Sequence, residues 1–140
     1  MKVLIDTCII IDALQNREPF CDDAHTIFIA VANNTINGYI SAKSLTDIYY
    51  LTHKSTHSNE MTRDIIQKLL SLFSILDTTA MDCKKALMSD ITDYEDAVMV
   101  ETALRENVDF IVTRNIKDYK NSSVPILSSH KLVERISDNQ

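Results

Sequence analysis

Four aspartates of this chain lie in separate segments whose ends could meet, and acids gathered in this way bind metal ions: Asp6, Asp47, Asp96 and Asp118. The first follows the apolar run Val3–Ile5, and the last follows the run Phe110–Val112. Hard divalent cations such as Mg²⁺ bind carboxylate oxygens. Several acids from distant parts of one chain therefore indicate a metal site, and such sites perform phosphoryl chemistry.

Short apolar runs alternate with helical patterns along the chain and would position these acids. The runs are too short for helices and each ends at a polar residue, as expected for parallel strands buried on both faces: Val3–Ile5, Tyr39–Ile40, Phe73–Leu76, Phe110–Val112 and Ile126–Leu127. Apolar residues spaced three and four apart predict helices between them. The pattern predicts an α/β fold with a mainly parallel sheet, and 140 residues suit one domain spanning 1–140.

In open parallel sheets, ligands bind beyond the carboxyl ends of the strands, near a switch in strand order. Asp6 and the loop from Thr113 to Asp118 follow predicted strands. Asp47 and Asp96 stand about one turn into predicted helices, where a helical turn takes about 3.6 residues. All of these acids could therefore point at the same edge of the sheet.

Each acid also has a structural interpretation. Asp6 or Thr7 could cap a helix that begins at Cys8, because short polar side chains accept from the free amides of a first turn. Asp47 could form a pair with Lys43 four residues earlier, which would stabilise a helix by only about 0.3–0.5 kcal/mol. The sequence leaves both interpretations open, and Asp12 is predicted to be an exposed polar residue of the first helix.

The later acids have similar alternatives. Asp93 fits the N-cap of a helix in which Asp96 takes the third position, where the helix dipole favours carboxylates. Glu95, between them, is expected to point to solvent. Asn115 and Asp118 could serve loop geometry and the capping of a short turn.

Composition removes several classes of function. Gly38 is the only glycine, so the glycine-rich loops of dinucleotide-binding and P-loop proteins and the Gly-x-Ser-x-Gly motif are excluded. The three cysteines are odd in number and widely spaced, which argues against a disulfide framework. The net charge of −6 argues against a large basic surface for nucleic acid. We expect no membrane span, no signal peptide and a cytoplasmic location.

Together the acidic segments resemble the PIN-domain family of metal-dependent ribonucleases, which includes VapC-type toxins. The resemblance runs nearly end to end and rests on the order of four motifs: Leu4–Cys8, Ser44–Ile48, Asp93–Ala97 and Ile111–Asn115. It implies a three-layer sandwich with a five-stranded sheet, and a cluster of acids that binds Mg²⁺ or Mn²⁺. It also implies hydrolysis of phosphodiester bonds in single-stranded RNA, homodimers and, for toxins, a cognate antitoxin.

In this interpretation the metal ligands are Asp6, Asp47 and Asp96, with Asn115 or Asp118 as the fourth position. The second position is often Glu in the family and is Asp47 here; the position after Thr-Arg is often Asp and is Asn115 here. Water attacks phosphorus in line, so no side-chain nucleophile is required. Thr7 and Thr113 would orient water or phosphate, and Arg114 would contact the RNA backbone.

Three other interpretations remain. A phosphoaspartyl phosphatase would need a second Asp at the position of Cys8, and a receiver domain would need an acidic pair where Asp6-Thr7 stands, with Asp77 as phosphoacceptor. A catalytically impaired PIN-like module that binds RNA or protein is the main alternative, because Asn115 carries no charge.

Overall fold

A five-stranded, wholly parallel sheet forms the centre of the protein, and the computed structural model describes all residues 1–140. The strands overlap all five predicted runs: β1 (Lys2–Ile5), β2 (Asn37–Ser41), β3 (Ser74–Leu76), β4 (Phe110–Val112) and β5 (Ile126–Leu127). The predicted α/β fold is therefore confirmed, and the sheet has no antiparallel member.

Seven α-helices connect and cover the strands: α1 (Thr7–Leu14), α2 (Cys21–Ala32), α3 (Ala42–Thr56), α4 (Asn59–Leu72), α5 (Ala80–Ala86), α6 (Tyr94–Arg105) and α7 (Ser129–Asp138). A short 3₁₀ helix, Ile116–Tyr119, follows β4. All but α2 begin after a side chain that accepts a hydrogen bond from an amide of the first turn, which satisfies a donor without a helical partner. No helix has both the length and the apolar character that a bilayer span requires.

Asparagine replaces glycine at the ends of several helices. Asn16, Asn34 and Asn107 follow α1, α2 and α6 with positive φ angles of 51°, 58° and 55°. Asparagine tolerates the left-handed conformation that ends a helix better than most residues with a side chain. A chain with one glycine can therefore still turn sharply between its helices and strands.

Two cores lie on opposite faces of the sheet. Val3 and Ile5 of β1 pack with α1, α2 and α7, whereas Leu4 packs with α5, α6 and the 3₁₀ helix. All three side chains are inaccessible to solvent. Alternate residues of a strand point to opposite faces, so a continuous apolar run is needed for a strand covered on both sides. This arrangement is the expected three-layer sandwich.

The strand order, β3-β2-β1-β4-β5, places the switch in direction between β1 and β4. The first two connections build the sheet to one side of β1, and the chain then crosses to the other side. The amide of Asp6 donates to the carbonyl of Val112 at 2.9 Å, which joins the carboxyl ends of these two strands. This is the position at which open α/β sheets bind ligands.

Gly38 lies where β2 passes close beneath side chains of the first core. A Cβ atom built there would be 2.6 Å from Cγ2 of Val31 and 2.9 Å from Cδ1 of Phe73. The Phe73 ring is itself packed edge-to-face on Phe28, with 5.0 Å between ring centroids. The glycine is therefore required for close packing rather than for an unusual backbone conformation.

We expect Gly38→Ala to lower the free energy of unfolding by about 1–3 kcal/mol, the usual cost of overpacking a core. Urea denaturation measures this loss. The control is Asn37→Ala, at an exposed neighbour in the same strand, which should stay within about 0.5 kcal/mol of the parent. Equal stability of Gly38→Ala and the parent would show that the side chains of Val31 and Phe73 shift to accommodate the added methyl group without loss of stability.

Candidate active site

A cleft of about 490 Å³ opens at the carboxyl edge of the sheet. Asp6, which follows β1, lines it together with Asp47 of α3 and Asp96 of α6. Thr7 and Asn115 also line the cleft. Helices from both sides of the sheet thus bring three of the predicted acids to one cavity, as the positions of those acids along the chain predict.

Hydrogen bonds from two neighbouring residues hold the Asp6 carboxylate. Its carboxylate accepts from the amide of Thr7 at 2.8 Å, which caps α1, and from the hydroxyl of Thr113 at 2.7 Å. Burial raises the pKa of Asp6, and these hydrogen bonds offset part of the rise. The capping and site interpretations of Asp6 are therefore compatible, because one carboxylate does both.

Thr113 contacts Asp6 and is closed to solvent. Its hydroxyl donates to the carboxylate and accepts from the amide of Asn115 at 3.1 Å. No part of its side chain is exposed. The burial of Thr113 disfavours the predicted direct contact with water or phosphate, and its hydroxyl contacts Asp6 instead.

Tyr119 is a site residue that the sequence analysis missed. Its hydroxyl lies 3.0 Å from Oδ1 of Asp96 and 3.5 Å from Oδ2 of Asp6, and its ring is buried in the second core. Because both carboxylate oxygens contact the same hydroxyl, they lie close enough for one hydrated cation to bind between them. Its only sequence signal was an aromatic residue next to Asp118.

Asp96 has the most perturbed carboxyl group of the cleft. Burial, together with the charges of Asp93, Asp6 and Asp118, raises its pKa to about 6, although the Tyr119 hydroxyl acts in the opposite direction. Asp93 caps α6 by accepting from the amide of Asp96 at 3.0 Å, as predicted. Desolvation and like charges disfavour the ionised form, and a bound cation would relieve both effects.

Asp47 does form the predicted pair with Lys43, and the pair has a third member. The ammonium of Lys43 lies 2.5 Å from Asp47 and 2.8 Å from Glu95 of α6. Burial lowers the pKa of Lys43, but the two carboxylates outweigh it and raise this pKa. Glu95 is largely exposed, as expected, yet it reaches back across the mouth of the cleft.

The two candidates for the fourth position face different cavities. Asn115 lines the main cleft, whereas Asp118 lines a neighbouring cavity with Asp93. Asp118 still acts on the site, since its charge contributes to the raised pKa of Asp96. Of the two candidates, Asn115 is therefore the one that faces the cleft lined by Asp6 and Asp96.

Arg114 and Asp12 differ from their predicted environments. Asp12 is fully buried, not exposed, because Arg114 neutralises it with contacts of 2.8 and 3.0 Å. The guanidinium also lies 4.2 Å from the centroid of the Phe20 ring. Arg114 is therefore engaged in fixing α1 to the end of β4, which disfavours its predicted contact with RNA.

The cleft lacks the pairing of a nucleophile with a histidine base that many other hydrolases use. None of the four histidines lines it. Cys8 does, but burial and the charge of Asp6 raise the pKa of its thiol, which opposes formation of a thiolate nucleophile. The cleft therefore offers oxygen ligands for a cation rather than a covalent catalyst.

Three ligating atoms of His, Cys, Asp or Glu lie within 4.8 Å of one another in only one place, at Glu18, Cys21 and Asp22. None of these residues lines the cleft. The Cys21 thiol donates to Glu18 at 3.3 Å, so a hydrogen bond already accounts for this group. In the cleft, Asp6 and Asp96 would need water or Asn115 to complete a coordination sphere, and Mg²⁺ usually keeps several waters.

The fold and this cleft define a parallel α/β protein with an acidic site at its topological switch. A family model described as PIN domain matches residues 2–117. The chain therefore belongs to the PIN domain family, and the resemblance seen in its sequence is confirmed. A comparison with curated proteins gives no significant match.

Several solved structures share the fold of this chain. A chain of VapBC2 from Rickettsia felis bound to promoter DNA is 23% identical, with a TM-score of 0.68, covering 91% of this chain and 98% of that one. A chain of FitAcB from Neisseria gonorrhoeae is 17% identical, with a TM-score of 0.67 and coverages of 91% and 98%. A chain of a toxin–antitoxin complex from Klebsiella pneumoniae is 22% identical, with a TM-score of 0.65, covering 91% of this chain and 97% of that one.

Asp96→Asn should be at least as stable as the parent without metal at pH 7. The folded pKa of about 6 lies above the ordinary aspartate value, so the folded state binds a proton more tightly and loses stability as the pH rises through this window. Melting temperatures in a chelator measure the difference, which should shrink towards pH 4. A large loss of stability at pH 7 would instead give Asp96 a structural role.

Tyr119→Phe removes the hydroxyl between Asp6 and Asp96. We expect the pKa of Asp96 to rise further and Mn²⁺ affinity to fall by about 10-fold, within the range for residues that orient metal ligands. Carboxyl ¹³C NMR titration and calorimetry measure these effects. Tyr49→Phe is the control, because its hydroxyl bonds only Asn59 at the surface. Unchanged values in Tyr119→Phe would contradict an orienting role.

Proposed function

We propose that this protein is a metal-dependent endoribonuclease that hydrolyses single-stranded RNA, and that it is the toxin of a toxin–antitoxin pair. The observation that carries the proposal is the meeting of Asp6 and Asp96 around the Tyr119 hydroxyl at the switch point of the sheet. Membership of the PIN domain family supports it.

The donor set fits Mg²⁺ or Mn²⁺. Asp6 and Asp96 offer carboxylate oxygens, both with raised pKa values, and Asn115 offers an amide oxygen at the same cleft. Hard cations prefer such ligands, and a cation would offset the repulsion between the two acids. A bound ion would supply Lewis acidity towards the phosphoryl group.

The residues around these ligands have separate tasks. Thr113 and Tyr119 fix the orientation of the carboxylates through their hydroxyls. Thr7 lines the open side of the cleft, where its hydroxyl can orient water or phosphate. Lys43 brings positive charge to the mouth of the cleft, where a phosphodiester would enter.

The partners proposed for this protein are inferred from similar proteins and not from contacts of this chain. The similar complexes contain an antitoxin or are bound to promoter DNA. By this likeness we propose a cognate antitoxin for this protein. We also propose a homodimer as its working form, as membership of the PIN domain family implies, and the cytoplasm as its location. The substrate in this proposal is RNA.

A PIN-like module that binds RNA or protein without cleaving it is the second candidate. Two observations favour it: the neutral Asn115 lies at the cleft, and the charge of Asp47 is already matched by Lys43. Both reduce the negative charge available to hold metal.

Cleavage of single-stranded RNA after removal of metal and addition of Mn²⁺ or Mg²⁺ tests the proposal. We expect metal-dependent cleavage by the parent and a loss of at least about 100-fold in Asp96→Asn, because a preorganised charge site contributes on this order. The matched control is Asp64→Asn, whose carboxylate pairs only with Lys68 on the surface of α4, and it should cleave like the parent.

The outcomes separate the two candidates. Equal cleavage by Asp96→Asn and the parent would assign the activity to another site or to a contaminant. RNA binding by the parent without cleavage at any metal concentration would favour the binding module.

A further inference from the structure

Lys43 is the only lysine that lines the acidic cleft. Its ammonium joins Asp47 on its own helix to Glu95 on α6, at 2.5 and 2.8 Å. Since α3 and α6 cover opposite faces of the sheet, this contact spans the mouth of the cleft. An ordinary surface pair of residues four apart would involve one helix only, as Asp64 and Lys68 do on α4.

A metal ion and a lysine ammonium can each neutralise the negative charge of a pair of carboxylates. In the cleft, Asp47 and Glu95 already surround the Lys43 ammonium, whereas Asp6 and Asp96 have no cationic side chain in contact. A divalent ion at Asp47 would have to displace Lys43 or lie beside its positive charge. The cleft therefore has one pair of acids without a cationic partner, which can bind a metal ion. Lys43 already neutralises the other pair.

We propose that Lys43 takes the place of a second divalent ion, so that the chain binds one ion at Asp6 and Asp96, while Asp47 serves as the partner of Lys43. This inference rests on the proposed metal site. In this assignment Asp47 is the ion-pair partner of Lys43 and not a metal ligand. The charge of the Lys43 ammonium then faces the phosphodiester at the cleft mouth.

Mn²⁺ titration followed by electron paramagnetic resonance and calorimetry tests this assignment through stoichiometry. We expect one ion per chain for the parent and for Lys43→Arg, which keeps the charge. Lys43→Met should bind a second ion at concentrations that saturate the parent with one. Lys68→Met is the matched control, since it removes a lysine from a Lys–Asp pair outside the cleft, and it should bind one ion.

A second variant keeps the test independent of how well Lys43→Met folds. Asp47→Asn should still bind one ion with less than a twofold change in affinity, whereas Asp96→Asn should bind none. Two ions in the parent, one ion in a folded Lys43→Met, or a large loss of affinity in Asp47→Asn would each overturn the role of Lys43. Absence of bound Mn²⁺ in both the parent and Lys43→Met would overturn the metal site itself.

Discussion

The placement of the Asp6 carboxylate against Asp96 is the constraint on which the site depends. A buried acid is unfavourable unless hydrogen bonds or cations satisfy it. Here the helix cap, the Thr113 hydroxyl and the Tyr119 hydroxyl supply donors from three elements. The same contacts join β1, β4, α1 and the 3₁₀ helix, so the local fold and the charge cluster are built from one network.

Three cationic side chains at or near the sheet balance particular carboxylates in this acidic protein. Arg114 neutralises the buried Asp12, Arg105 contacts the buried Asp82, and Lys43 lies between Asp47 and Glu95. A buried charge that loses its partner is strongly destabilising, which explains why arginine, with its fork of donors, occupies the buried pairs.

The cleft consequently has two parts with different electrostatics. Asp6 and Asp96 share a proton donor but no cation, and both have raised pKa values. Asp47 and Glu95 are balanced by a lysine of the chain itself. A divalent ion gains most where negative charge is least compensated, so attraction for metal concentrates at the Asp6 side of the cleft.

Local chemistry in the sequence was sufficient for the elements and for the location of the site. The five strands follow from short apolar runs, and the caps at Asp6 and Asp93 follow from contacts within one helical turn. Asp6, Asp47 and Asp96 could be assigned to one edge because the carboxyl ends of parallel strands meet there.

The partners of the charged groups were decided only by the tertiary structure. The sequence placed Asp12 at the surface and Arg114 on RNA, yet they pair across 102 residues. Tyr119 reaches Asp6 across 113 residues, and no periodicity signals that contact. Periodicity and capping act within a few residues, whereas the partner of a buried charge depends on which elements the sheet brings together. For that reason the sequence determined where the candidate site lies, and the packing of the layers decided which of its carboxylates have no cationic partner.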